Sequence, residues 1–268
     1  MIANQDALLS RAKAELDRNG VAIIPDVLSQ ERLDAVRQAI LEAVEADRVA
    51  GKQLTGHGFD PDDRNIRLWD LILRGPVFRE LVEHPLALAL VGHCIGEDFT
   101  LSNFTGNITR PGGGRMYMHA DQGFLPAPWP PYAMSANIGW AIDDFTFENG
   151  GTIYIPGSHH STEGPRPEGG YPGEVAVECP AGSLFVMDGR LWHQTGANIS
   201  RTDERTALFA YYVRPFIVPQ RPWARIVPLD MERQFTPSLW RRLGLADLPT
   251  PTLRSSQART TTSQRFER

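Results

Sequence analysis

Cysteine is scarce in this chain: two residues in 268, Cys94 and Cys179. They form no CxxC pair and are too few for a disulfide framework, so a disulfide-stapled fold is excluded and reduced, buried thiols are predicted. Long apolar runs are missing as well. No stretch approaches eighteen consecutive apolar residues, which argues against a transmembrane helix. The opening "MIANQDALLSRAKAELDRNG" is polar and helical in pattern, without the apolar run of a secretory signal. The last three residues, Phe-Glu-Arg, are not a peroxisomal address. Positive charge is in deficit too, 27 Lys and Arg against 32 Asp and Glu, for a net charge of -5. That balance argues against nucleic acid or an anionic membrane as the main partner. These absences leave a cytoplasmic enzyme as the expectation.

Hydrophobic side chains make up 41% of the chain, enough to bury a substantial core. Residues 5–18 carry Ala7, Leu8, Ala12 and Leu16 at helical spacing, and Gly20 ends that helix. "VAIIPDVL" reads as a short buried strand. Ser29 is placed to cap a helix whose stripe is Leu33, Val36, Ile40 and Val44. "FRELVEHPLALALVGHCIG" reads as helix interrupted by Pro85. After residue 98 the texture changes to short runs rich in Val, Ile, Phe, Tyr and Thr, punctuated by Gly, Pro and Asn. Seven or eight short strands without intervening helices predict a sandwich or jelly roll and exclude a parallel sheet. The expectation is one domain over 1–250, with helices at about 5–96 and a β core at about 98–216, then a mobile polar tail over 251–268.

Within the β region, "MYMHADQGFLP" sets His119 and Asp121 two positions apart. In a strand, such residues share a face. Neutral imidazole and carboxylate are both good iron ligands, although an H-x-D alone is a weak signal. A second segment, "GSLFVMDGRLWHQTGANISRTDERTALFAYYV", carries His193 and, twelve residues on, Arg205. A hairpin centred near Ile199 would put these two opposite each other on one face. A histidine beside an arginine makes sense if the imidazole is neutral on a metal and the guanidinium faces a bound carboxylate. Two histidines and one carboxylate form the facial triad of non-haem Fe(II) oxygenases. The same donors suit zinc, so a zinc hydrolase and a non-catalytic, cupin-like metal binder stand as alternatives. Arg205 speaks against both, since neither needs a buried cation facing the site. Arg201 is the competing arginine, but it sits in a polar turn.

The order H-x-D, a second His 74 residues later and Arg twelve further on is more specific than any one part. With "NGVAIIPDVLSQERLDAVRQAI" and "ENGGTIYIPGSHH", the chain resembles the phytanoyl-CoA dioxygenase (PhyH-like) family of Fe(II)/2-oxoglutarate oxygenases over about residues 18–216. The resemblance implies a double-stranded β-helix core of the jelly-roll, cupin-like type, with flanking helices. It also implies Fe(II), 2-oxoglutarate and O2 as cofactor and cosubstrates. His119, Asp121 and His193 would ligate iron, and Arg205 would hold the distal carboxylate of 2-oxoglutarate. Thr195, Thr152, Asn103 and Asn107 match positions that contact the cosubstrate in family members. By the same resemblance, in which related halogenases carry a small residue at this position, the carboxylate of Asp121 implies hydroxylation, desaturation or rearrangement and not halogenation.

Phe124, Trp129, Tyr132, Trp140 and Trp192 lie near the motif and are candidates to line an apolar substrate pocket. No basic cluster for the phosphates of CoA is visible, which favours a small, largely apolar metabolite. The "PAPWPP" run reads as a stiff loop at the pocket mouth. His159 and His160 read as structural or rim residues, Asp188 as a turn residue, and Asp143 and Asp144 as strand terminators. His57, His84 and His93 have no partner that the sequence names.

Overall fold

The computed structural model describes residues 2–166 and 170–246; the tail expected to be mobile, 251–268, lies outside them. The described residues divide into a compact unit ending at Gln220 and a second beginning at Arg221. In the first unit, α1 (Ile2–Asn19) leads through Gly20 into β1 (Val21–Ile24), followed by α2 (Gln30–Val49) and β2 (Asn65–Leu68). Helices α3 (Pro76–Val82) and α4 (Pro85–Ile95) come next, with Pro85 opening α4. Strands β3 (Thr100–Thr109), β4 (Ser135–Ala141), β5 (Thr152–Tyr154) and β6 (Val175–Ala176) follow. Then come β7 (Leu184–Asp188), β8 (His193–Thr195) and β9 (Arg205–Val213). The second unit holds α5 (Trp223–Ile226), a 3-10 stretch over Leu229–Gln234, and α6 (Pro237–Arg242) capped by the Thr236 hydroxyl.

Local chemistry accounts for the boundaries. Ser29 accepts from the Arg32 amide at 3.3 Å, a cap worth about 1 kcal/mol. Leu33, Val36, Ile40 and Ala43 of α2 are buried, each large aliphatic contributing roughly 1.5–3 kcal/mol. Gly20 takes φ 79°, and a Cβ there would meet the His159 ring 2.6 Å away, so α1 can turn into β1 only through glycine.

Nine strands among the described residues form two antiparallel sheets, ordered β1-β7-β4-β9-β3-β2 and β6-β5-β8. This is a jelly-roll core with flanking helices. Strand β7 is buried along its whole length because it lies between β1 and β4 inside the large sheet. Alternation sorts the two faces of that sheet. Trp140, Tyr212 and Phe104 turn towards the helices: Trp140 meets the His84 ring edge-on at 5.3 Å, and the Tyr212 hydroxyl donates to Val82 O at 2.7 Å. Phe104 meets Phe78 of α3. The other face is organised in rows across the strands. Met187, Asn137, Tyr211 and Asn103 form one row; Phe185, Gly139, Phe209 and Thr105 form the next. Gly139 is required there, since a Cβ would lie 2.0 Å from the Phe185 ring. Asn107 stands beside Arg67 of β2, and Arg205 opposite Thr109 closes the series.

Two sequence expectations about local geometry fail. His119 and Asp121 do not share a strand: His119 makes an isolated bridge, and Asp121 opens a turn. His193 and Arg205 do not form a hairpin either, because β8 pairs with β5 in the small sheet while β9 pairs with β3 and β4 in the large one. The thiols are free, Cys179 buried and Cys94 half-buried.

Candidate metal and cosubstrate site

The bridge at His119 is a reciprocal pair of backbone bonds. His119 N donates to His193 O at 2.9 Å, and His193 N donates to His119 O at 2.8 Å. The segment ending at His119 is thereby fastened to the edge of the small sheet, and Met116 N donates to Thr195 O at 3.0 Å beside it. The turn that follows is held by Gln122, whose amide donates to Gly189 O at 2.7 Å and whose side-chain oxygen accepts from Met134 N at 2.7 Å. Asp121 is thus carried to the two imidazoles by a turn and not by strand periodicity.

The ring Nδ1 of His119 faces Tyr117 O at 3.1 Å, and that of His193 faces Leu191 O at 2.9 Å. A carbonyl only accepts, so each Nδ1 is a donor and each Nε2 is left to face the Asp121 carboxylate. These Nε2 atoms lie 4.0 Å and 3.8 Å from Asp121 Oδ1, and the three potential ligand atoms fall within 4.8 Å of one another. Burial, followed by the neighbouring His193, pushes the His119 pKa down to about 4, which keeps the ring neutral. Asn137 Nδ2 donates to Asp121 Oδ2 at 2.8 Å, and the Tyr211 hydroxyl donates to Asp121 O at 3.0 Å.

Behind the triad lies an inner compartment of about 160 Å3, lined by Asn103, Asn107, Thr152 and Thr195 together with His119 and His193. Arg67, Asn137 and Tyr211 also face it, and the sequence reading had not singled them out. Arg67 is neutralised by the buried Asp60, with Nη2 2.6 Å from Oδ1. Arg205 is in a different state. It is fully buried beyond the lining residues, donates through Nη2 to Thr109 Oγ1 at 2.7 Å, and lies 4.8 Å over the Phe145 ring. Its Nε and Nη1 have no partner among the described residues. Burial, and then the nearby Arg67, pushes its pKa down to about 9. A buried guanidinium with two unused donors is costly unless an anion meets it. Ala207 is the only side chain on the inner face of β9 between Arg205 and the lining Phe209. Arg201 lies in an exposed bend.

In front of the triad opens an outer chamber of about 890 Å3, whose wall includes Phe124, Trp129 and Tyr171. Trp140 has no part in it, being sealed against the helices on the opposite face of the large sheet. Trp192 stands behind the wall, its ring 5.4 Å from Tyr171 and its Nε1 donating to Glu163 O at 3.2 Å. Tyr132 stacks under Arg214. The remaining polar residues hold the fold. His159 bonds to Asp17 O, His93 to the Asp17 carboxylate, and His57 stacks on Phe59. Asp188 accepts from Arg190 N, Asp144 from Ala181 N, and Asp143 from Thr206 N.

A jelly roll with two imidazoles and a carboxylate at the mouth of a small polar compartment defines a class, the Fe(II)- and 2-oxoglutarate-dependent dioxygenases. The family model for phytanoyl-CoA dioxygenase (PhyH) matches residues 16–207, and the chain belongs to that family. Dioxygenase af480 of Aspergillus fumigatus is 34% identical over 239 residues, covering 88% of this chain and 77% of that protein. Among solved structures, the α-ketoglutarate-dependent epimerase SnoN from nogalamycin biosynthesis superposes with a TM-score of 0.61 at 24% identity, covering 78% of this chain and 84% of SnoN. HygX from Streptomyces hygroscopicus, solved with nickel, 2-oxoglutarate and hygromycin B, superposes at 0.64 with 19% identity, covering 79% and 89%. The protein is an enzyme of this class, with iron, 2-oxoglutarate and O2 as its cofactor and cosubstrates, and the zinc-hydrolase and passive-binder alternatives fall away.

Proposed function

We propose that His119, Asp121 and His193 hold Fe(II), that Arg205 anchors the 5-carboxylate of 2-oxoglutarate, and that the enzyme hydroxylates an unactivated C–H bond of a largely apolar metabolite, releasing succinate and CO2. The observation that carries this reading is the convergence of two imidazole Nε2 atoms and one carboxylate oxygen where the inner compartment meets the outer chamber. With its cosubstrates bound, iron at that point supplies the oxidising power for C–H cleavage.

The chain's own contribution is positioning. The carbonyls of Tyr117 and Leu191 fix both imidazole tautomers, and Asn137 holds one oxygen of Asp121 so that the other faces the histidines. Asn103, Asn107, Thr152 and Thr195 offer amides and hydroxyls to the cosubstrate, and the side-chain oxygens of both asparagines are buried without a partner among the described residues. Arg205 offers the charge, and its idle Nε and Nη1 donors are free to meet an anion. Phe124 and Trp129 seat the substrate in the outer chamber and exclude water around the reacting carbon. HygX, solved with hygromycin B bound, supports a small-molecule substrate. We read the partner as a small molecule and the compartment as the cytoplasm. The net charge of -5 favours this, and no helix among the described residues is long and apolar enough to cross a membrane.

Anaerobic addition of Fe(II) and then 2-oxoglutarate tests the reading. A visible charge-transfer band should form in the wild type and fail to form in His193→Ala. Iron binding elsewhere, with the band intact in His193→Ala, would sink the ligand assignment.

A further inference from the structure

The outer chamber contains a polar cluster that the iron and cosubstrate chemistry does not use. Arg115, in the segment leading to His119, is bonded to the Glu174 carboxylate just before β6. Gln194 lies between His193 and Thr195 on β8. With its carboxamide oriented by the surrounding donors and acceptors, it accepts from Arg115 Nε at 2.8 Å and Nη2 at 2.7 Å and donates to Met116 O at 2.6 Å. The guanidinium is therefore fixed on two sides. Its remaining terminal nitrogen, Nη1, makes no hydrogen bond among the described residues. Arg115, Glu174 and Gln194 all line the outer chamber, and Gln194 lines the inner compartment too. The cluster stands at the junction, beside His119 and Asp121.

Charge sorts what this cluster would accept. Glu174 neutralises Arg115, and Glu163 pairs with Arg166, the other arginine of the wall, at 3.3 Å. Neither cation is left unpaired for a carboxylate or phosphate, and an anion at Arg115 would meet Glu174. A neutral oxygen needs only one directed N–H. Size sorts the ligand further. At about 890 Å3 the chamber is in the range of sites for drug-sized ligands, about 300–1,000 Å3, and has several times the room of the inner compartment. Trp129, Phe124 and Tyr171 give it the aromatic surface to bind an apolar frame.

Resting on the reading of this chamber as the substrate site, we infer that Arg115, held by Glu174 and Gln194, is a specificity-determining residue. It donates to a carbonyl or hydroxyl oxygen on a bulky, uncharged, largely apolar substrate, and so sets which carbon faces His119 and Asp121. The expected substrate is thus larger than the small metabolite the sequence alone indicated.

Three probes on one four-ring steroid skeleton test this: a ketone, the same skeleton without oxygen, and the same skeleton bearing a carboxylate. Binding to the full chain loaded with Zn(II) and 2-oxoglutarate is read by tryptophan fluorescence, with Zn(II) and 2-oxoglutarate affinities measured separately by calorimetry. The ketone should bind about tenfold more tightly than the hydrocarbon, as expected for a charge-assisted hydrogen bond. Arg115→Met should erase that advantage and leave 2-oxoglutarate affinity within about twofold. Glu174→Gln should admit the carboxylate, strengthening its binding by about tenfold. The inference is overturned if the carboxylate binds best to the wild type, if the ketone's advantage survives Arg115→Met, or if no probe binds to protein that holds Zn(II) and 2-oxoglutarate. Failure of Zn(II) and 2-oxoglutarate to bind would instead strike the preceding reading of the site.

Discussion

Asn137 donates its side-chain N–H to Asp121 Oδ2 at 2.8 Å, leaving Oδ1 as the oxygen that faces both imidazoles. The two residues come from different structures, a central strand of the large sheet and a surface turn, so this bond ties the carboxylate to the rigid core. If Asp121 ligates the metal as proposed, Asn137→Ala should weaken Co(II) or Fe(II) binding by about 10–100-fold, through loss of the hydrogen bond that orients its carboxylate. Calorimetric titration checks this, with circular dichroism to show the fold intact. Unchanged affinity would mean that the turn alone positions Asp121.

His119→Ala, Asp121→Ala and His193→Ala should each abolish 2-oxoglutarate-dependent succinate release while leaving a cooperative thermal transition. The groups are polar and gathered at a compartment mouth, so removing one opens no apolar cavity. A variant that kept most of its succinate output would identify a residue outside the metal set.

Arg205→Ala should raise the Kd for 2-oxoglutarate about 30-fold or more, corresponding to about 2–5 kcal/mol for a buried, hydrogen-bonded charge pair. Lysine should restore only part of it, because a point charge lacks the fork. Arg201→Ala, in the exposed bend, should stay within about twofold. Anaerobic titrations of the two variants side by side decide between them, and the opposite ranking would move the anchor to Arg201.

Gly139→Ala should destabilise the protein by about 1–3 kcal/mol, since the new methyl group would lie 2.0 Å from the Phe185 ring in a packed interior. Urea denaturation measures it. A neutral result would mean that the Phe185 and Phe209 rings can separate without cost.

His84 packs edge-on against the buried Trp140, and burial holds its pKa below the ordinary histidine value. The unfolded chain therefore binds more protons than the folded one, so stability rises with pH and is lost as pH falls below about 6.5. His84→Phe should flatten that acid limb in thermal melts taken across pH. An unchanged slope would place the titrating group elsewhere.

The chemistry of the site was more legible in the sequence than its geometry. H-x-D, the distal histidine and the arginine twelve residues beyond are recognisable as donor types in order. Their arrangement depends on pairings that a linear pattern does not contain. "MYMHAD" alternates like a strand, yet of its residues only His119 reaches β8 as a bridge, and Asp121 arrives by a turn held through Gln122. Trp140 was expected in the pocket because it is aromatic and close in sequence. Alternation along β4 gives Asn137 and Trp140 opposite faces, and only the docking of the helices decides which face is inside. Arg67 sits in the four-residue "NIRL" strand, more than fifty residues before the motif, and joins the site only because β2 pairs with β3. The helices were read more closely, since capping by Ser29 and the stop at Gly20 are local events.

The reciprocal backbone bridge between His119 and His193 has a consequence for how the site tolerates change. The two imidazoles are mounted on one rigid bracket, while the third donor hangs from a turn that can be altered without disturbing them. Exchange at position 121 should therefore leave a serviceable two-histidine cradle, whereas loss of the bracket would scatter both nitrogens at once. Within the proposed metal set, Asp121 is in that sense the donor whose mounting is independent of the other two.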